Sequence, residues 1–444
     1  MRWPPRPWAE SALAAAIFII LSLVAARAQK AERVFGDAKQ YHHASVQFAG
    51  HVRPVAAEGP FVFRIGTPWL ASAVNPLVQR LTPPWLDALV DDATGLDDVI
   101  PFYAVNITAC LLFVVLFVEY LRCFVASAGV RLLLVTAWMA QWHAPVRWIY
   151  FNPVNVEPLF LLVVIVALLA IEQTRTRSAV TAALMLAPLT LIGTLCRESM
   201  ILVPLALAAS RMPAVWGDAR RWRVAAALAM PFIAWLAALV VTRQLATATN
   251  AYRPWSEPVM MLRRKGIDTW LLAWFFTFGP AAVALMAAAA GDLRRFLRRR
   301  PELAVWIAGC GVLAFAGGTD TERILGWAAP VVYVLAGLAV ERHRAALRRL
   351  PAVIVLLVSA QLLSSRLLWP VPVGDDEGPA LRALGVTWAA VYAALDRVLV
   401  IEHYYSNLWS FYGSRSLHAA ILIVDVCFVA AVAVLLRRRA VTAG

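Results

Sequence analysis

The chain has 444 residues, 61% of them hydrophobic and only 15% charged, with a formal net charge of +14 and a mean hydropathy of +0.69. Soluble domains are about half apolar and about a quarter charged, so this composition excludes a water-facing globular protein. The excess of Lys and Arg has a sufficient cause in the positive-inside rule and calls for no nucleic acid partner.

The first apolar run, residues 11–27, follows Arg2 and Arg6 and ends in Ala26-Arg27-Ala28. That ending has the A-x-A form a signal peptidase cuts, but the run is long for a signal sequence and is read as a retained first span. A long loop, 28–100, follows, and further spans are expected near 101–121, 131–149, 153–172, 178–196, 198–210, 223–244, 268–291, 302–318, 320–340, 350–368 and 416–437. At about 1.5 Å per residue, a run near twenty residues crosses about 30 Å of hydrocarbon. The expected fold is therefore an all-α polytopic membrane protein of about twelve transmembrane helices, forming a single transmembrane domain over 1–444. Basic runs in short segments, such as Arg294 to Arg300 and Arg437 to Arg439, assign both termini to the cytoplasm and the chain to the inner (plasma) membrane as a multi-pass protein. Both long loops then lie on the outer face. The first is expected to be partly helical, and the second, 366–415, to carry an interfacial helix with Leu384, Trp388, Val391, Leu395 and Val398 at helical spacing.

Charged residues near lipid are costly and tend to mark function. Four clusters stand out on the outer side: Asp37 with Tyr41, His42 and His43; Pro60 to Arg64 followed by Pro68-Trp69; Asn152 to Glu157; and Arg197-Glu198 with Asp320 to Arg323. The apolar stretch after Arg197-Glu198, Ser199 to Ala209, makes a helix only about 17 Å long. Either the pair sits below the surface, or the helix runs on past Arg211, or the two side chains reach outward to the interface. Thr319 and Glu322 have capping-box spacing, and Asp320 suits a helix N-terminus. Arg323 opposes the dipole there and must answer an anion, from the protein or from a ligand phosphate. Glu157, followed by Pro158, is either an N-terminal dipole partner or a functional carboxylate. The histidines lack the i,i+4 and H-E-x-x-H spacings of zinc sites, and the five cysteines lack C-x-x-C, so neither a metal set nor a disulfide framework is predicted.

In the order of these motifs the chain resembles the GT-C superfamily of polytopic glycosyltransferases, which includes the protein mannosyltransferases and the aminoarabinose transferase of lipid A. The resemblance rests on Asp37 soon after the first helix, the P-F-x-x-R-x-x-x-P pattern at Pro60, Arg64 and Pro68, Glu157 opening the fourth span, the break at Cys196 to Ser199, and D-x-x-R at Asp320 and Arg323. It implies an inverting transfer of a sugar from a polyprenyl-phosphate donor to a glycan, lipid or protein acceptor outside the cytoplasm. It also implies Asp37 as general base, Glu157 as a second acidic participant, and Tyr41, His42, Arg64, Arg197, Glu198, Asp320 and Arg323 in substrate binding, the arginines on the phosphate. No organic cofactor is implied. Asp37 is followed by Ala38 and Lys39 rather than completing D-x-D, which leaves a divalent cation open.

Two other classes fit twelve helices. A transporter or flippase of the major facilitator type would carry a long cytoplasmic connection between its sixth and seventh helices, and the segment from Arg211 to Arg223 is short. A polysaccharide polymerase or ligase would use the late outer loop, 366–415.

Overall fold

The computed structural model describes residues 8–28, 36–217, 221–253, 256–365 and 409–441. The predicted interfacial helix of the late loop lies outside them. Helix α1 (Trp8–Ala28) is followed by α2 (Asp37–Ala49), α3 (Gly66–Leu81) and α4 (Pro84–Thr94), so the first long loop is largely helical as expected. Then come α5 (Ile100–Arg122), α6 (Ala128–Ala140), α7 (Pro145–Phe151), α8 (Glu157–Gln173), α9 (Ala179–Cys196), α10 (Leu202–Gly217), α11 (Arg221–Leu245) and α12 (Ser256–Arg264). The series continues with α13 (Ile267–Phe278), α14 (Pro280–Ala288), α15 (Ala290–Arg299), α16 (Pro301–Ala316), α17 (Thr321–Leu325), α18 (Ala329–Arg342), α19 (Arg344–Arg349), α20 (Pro351–Ser365) and α21 (Arg415–Val441).

Among the described residues, six stretches are long and apolar enough to cross a bilayer: Trp8–Ala26, Ile100–Arg122, Ala179–Cys196, Trp222–Leu245, Thr321–Arg342 and Arg415–Arg438. The apolar surface of α1, α11 and α21 is turned outward, with Ile19, Ile20, Leu23, Ile233, Leu236, Val240, Ile423 and Val424 all exposed, whereas Thr321–Arg342 is mostly buried. Water would not tolerate so continuous an apolar surface, and a lipid bilayer covers it. Helix α8 is different: Phe160, Leu161, Val164, Ile165, Ala167 and Leu168 are all buried, and it runs through the interior between α5 and α9.

Two predicted single spans are broken. The run at 131–149 divides into α6 and α7 around residues 141–144, with Pro145 opening the second helix. The run at 268–291 becomes α13 and α14, bent by 103°. Gly279 makes that bend at φ 81°, and Pro280 follows it. The break frees the Phe278 carbonyl, which accepts a hydrogen bond from Gln361 Nε2 of α20 at 3.0 Å. A Cβ at position 279 would lie 2.4 Å from the same amide, so both the backbone and the space require glycine.

The bundle has two chemically distinct ends. At one, Arg131 pairs with Glu10 at 2.7 Å, Arg300 with Glu172 and Glu302, and Arg211 donates to the carbonyls of Thr174, Arg175 and Arg177 at the end of α8. Cations at a helix C-terminus satisfy its free carbonyls and its dipole. Arg211 can do this because α10 runs on to Gly217, one of the alternatives left open by the sequence. At the other end lie α2, α3, α4 and a two-stranded parallel ribbon, β1 (Val55–Ala57) with β2 (Ala246–Ala248), which ties the first loop to the end of α11.

Replacing Gly279 by Ala is expected to destabilise the protein by about 1–3 kcal/mol, the range for a strained left-handed residue, before any clash with Gln361 is counted. The check is the midpoint of thermal unfolding in detergent; an unchanged midpoint would show that the bend does not need glycine.

Candidate active site

Helix α2 buries Ala38, Tyr41, Ala44, Ser45 and Phe48, a helical stripe that fixes its rotation. Asp37 stands at its first position and Tyr41 one turn on, so both reach the same region. Arg64 ends the 3-10 turn Phe61–Phe63, immediately before α3. Helix α3 starts hard against the end of α9: a Cβ on Gly66 would lie 2.7 Å from Cys196 Sγ. This close approach brings Arg64 beside Glu198.

Arg197 is extended (φ −163°, ψ 133°) between α9 and the 3-10 turn Glu198–Ile201. Successive side chains of extended backbone point to opposite sides, and here Arg197 turns to Glu157 while Glu198 turns to Arg64. Glu157 opens α8, its backbone N–H donating to Asn155 Oδ1 at 3.0 Å. The turn before it is held by Asn106 of α5, whose Nδ2 donates to the carbonyls of Pro153 at 2.8 Å and Asn155 at 2.9 Å. Pro158 sits where a helix lacks an N–H acceptor and costs it nothing.

These pieces make one chain of alternating charge. Arg323 donates to Asp320 at 2.7 Å, to Glu157 at 2.8 Å and to Asp37 at 3.3 Å. Arg197 pairs with the same Glu157 oxygen, Oε1, and its guanidinium lies 4.6 Å from the centre of the Trp327 ring. Beside this, Arg64 donates to both oxygens of Glu198 at 2.9 and 3.3 Å and to the Tyr41 hydroxyl at 3.1 Å. Trp235 Nε1 donates to the Glu198 carbonyl at 2.8 Å. The anion Arg323 answers is thus protein carboxylate, from three separate residues.

The network is buried at one side and open at the other. The Glu157 and Arg197 side chains are 5% and 8% exposed, whereas Asp37 is 19%, Asp320 39% and Glu198 49% exposed. Asp37 Oδ2 holds Arg323, while Oδ1 receives no hydrogen bond among the described residues. Burial raises the Asp37 proton affinity above the ordinary aspartate value; Arg323 opposes the rise, and Asp320 and Glu157 add to it. Burial likewise pushes the Tyr41 hydroxyl up to about 12 against the pull of Arg64, keeping it protonated at neutral pH. Below the network, Glu157, Arg323, Gln141, Thr277 and Trp327 line a cavity of about 20 Å³, the space of about one water.

Eight of the nine predicted positions meet here in two adjoining sets: Asp37, Glu157, Arg197, Asp320 and Arg323 are joined by ion pairs, and Arg64 bonds to Glu198 and Tyr41 beside them. His42 does not. Its Nε2 lies 2.5 Å from the Asp97 carbonyl, between α4 and α5, because the position after Tyr41 on a helix turns about 100° away. The predicted capping box also fails: Asp320 occupies the N-cap, and Glu322 instead accepts from the Ser410 backbone N–H at 2.7 Å. Among the described residues no three His, Cys, Asp or Glu side chains converge as metal ligands would. Asn106 and Trp327 escaped the sequence reading, although a polar Asn inside the apolar run of α5 was a usable signal.

Glu157→Gln is expected to leave Arg197 and Arg323 sharing no buried anion and to cost about 3–5 kcal/mol of stability, as breaking a buried pair does. A double-mutant cycle with Arg197→Met, read by thermal unfolding, checks this; additive effects would mean the pair carries no coupling. No family model and no curated protein matches this chain.

Proposed function

We propose that the protein is a membrane glycosyltransferase that moves a sugar from a polyprenyl phosphate to an acceptor hydroxyl on the extracytoplasmic side. The observation that supports this reading is that Asp37, with one carboxylate oxygen that has no donor among the described residues, pairs with Arg323, which shares Glu157 with Arg197. A proton acceptor beside clustered guanidiniums suits displacement at an anomeric carbon that bears a phosphate. In the proposed step Asp37 takes the acceptor's hydroxyl proton as its oxygen bonds to the anomeric carbon. The bond from that carbon to the phosphate oxygen breaks on the opposite face, inverting the centre, and the lipid phosphate departs with the electron pair. Glu157, enclosed and shared by two arginines, is a positioning residue: it aims Arg197 and Arg323 at the phosphate. Arg64 is held by Glu198 and Tyr41 as a third phosphate contact at the open side.

The same reading takes the bundle as twelve passes, adding the bent α13–α14 pair, α6–α7, α8, α10, α16 and α20 to the six long spans. It sets the basic end in the cytoplasm with both termini, in a plasma membrane. One observation favours transport instead, because broken helices such as α13–α14 also line substrate paths in carriers. Mass spectrometry of lipids and glycans from cells with and without the protein separates the two: a transferase leaves a glycan short of one sugar, a carrier leaves the bond made elsewhere.

Asp37→Asn is expected to abolish sugar transfer by membrane vesicles while the protein still reaches the membrane; undiminished transfer removes Asp37 as base. Because its proton affinity is raised, the active ionised form is lost as pH falls through a value above the ordinary aspartate range. The acid limb of the rate profile should therefore lie above that range, and a limb at the ordinary aspartate value would contradict the assignment.

A further inference from the structure

At the end of the bundle away from Asp37, α6, α14, α18 and α20 enclose a slot of about 290 Å³. Leu134, Ala137, Ala282, Leu285, Ala336 and Leu357 form much of its apolar wall. Small side chains on three helices keep it open where larger ones would close it. At its mouth stand Arg344 and Arg348, one turn apart on α19 and both exposed. Neither has an ion pair or a side-chain hydrogen bond among the described residues. Their neighbours do: Arg342 pairs with Asp292 at 2.8 Å, and Arg437 donates to the Ala288 carbonyl at 3.2 Å.

An apolar slot between spans with two unpartnered guanidiniums at its rim matches an amphiphile with an alkyl chain and an anionic head. We propose that it holds one acyl chain of an anionic phospholipid, the phosphate resting between Arg344 and Arg348. A zwitterionic lipid offers the same phosphate but brings an ammonium group up to two guanidiniums, with exposed Arg349 next in sequence, and is repelled. The site is separate from the Asp37 network, and neither it nor its test depends on the transferase reading. A lipid wedged there bridges α6, α14, α18 and α20 and lies against Gln361, which holds the bend at Gly279.

The test uses the full-length protein in detergent, with phosphatidylglycerol and phosphatidylcholine of matched chains and, as a chainless control, glycerol phosphate. Lipid retention by native mass spectrometry and the thermal midpoint are read together. Phosphatidylglycerol should be retained preferentially and raise the midpoint, and glycerol phosphate should do neither. Arg344→Ala with Arg348→Ala should weaken phosphatidylglycerol binding roughly ten- to thirtyfold. Val358→Trp, placed at a half-exposed position lining the slot, should abolish retention of both lipids while the lipid-free midpoint stays near that of the parent. Equal retention of the two lipids by the parent protein, an unchanged preference in the arginine double variant, or full retention by Val358→Trp would each overturn the proposal. Stronger retention of a polyprenyl phosphate than of phosphatidylglycerol would overturn the phospholipid assignment.

Discussion

A single carboxylate oxygen, Oε1 of Glu157, receives both Arg197 and Arg323 inside the protein. An isolated ion in such a place would lose several kcal/mol of hydration, so each member of the cluster persists only because its neighbours carry the opposite sign. The alternation of Asp37, Arg323, Glu157 and Arg197 is thus a condition for burying any one of them. It also joins four segments, the starts of α2, α8 and α17 and the end of α9, that lipid and packing alone would leave free to slide.

The irregular backbone of the bundle serves this cluster. The 3-10 turn at 61–63, the turn at 152–156, the extended Arg197 and the bend before α17 all lie at the same end. Non-helical backbone at membrane depth needs internal partners, and here Asn106, Asn155 and Trp235 supply them. At the opposite end the arginines do different work. Arg211 caps the carbonyls of α8, and Arg131 and Arg300 lock helix ends together through glutamates, so those pairs are fully explained by the packing.

The distinction between the two ends matters for assigning chemistry. Both contain buried arginine–glutamate pairs, so a buried pair by itself says little. What marks the cluster around Asp37 is that its carboxyl oxygens are not all taken: among the described residues Asp37 Oδ1 and Glu157 Oε2 have no donor, and the carboxylates of Asp37, Asp320 and Glu198 are open to the surroundings. Satisfied networks rigidify, whereas incompletely satisfied ones leave groups available to a substrate.

Hydropathy summed along the chain was enough to establish a helical membrane protein, because the cost of exposing or burying each residue depends mainly on its own side chain. The same local logic made Asp37, Arg64, Glu157, Arg197, Glu198, Asp320 and Arg323 conspicuous, since each is a charge in apolar surroundings. It could not say which charge meets which. Asp37 and Arg323 are 286 residues apart, and only the packing of α2 against the start of α17 makes them partners. For the same reason local spacing misled at Glu322, whose amide donor comes from Ser410, and at His42, whose helix face was set by burial of Tyr41. The 103° bend was equally hidden, because a glycine and a proline in an apolar run are compatible with a straight span until Gln361 of another helix arrives to take the freed carbonyl. Composition determined the solvent and the helices; long-range pairing, which no single stretch of chain encodes, decided the site.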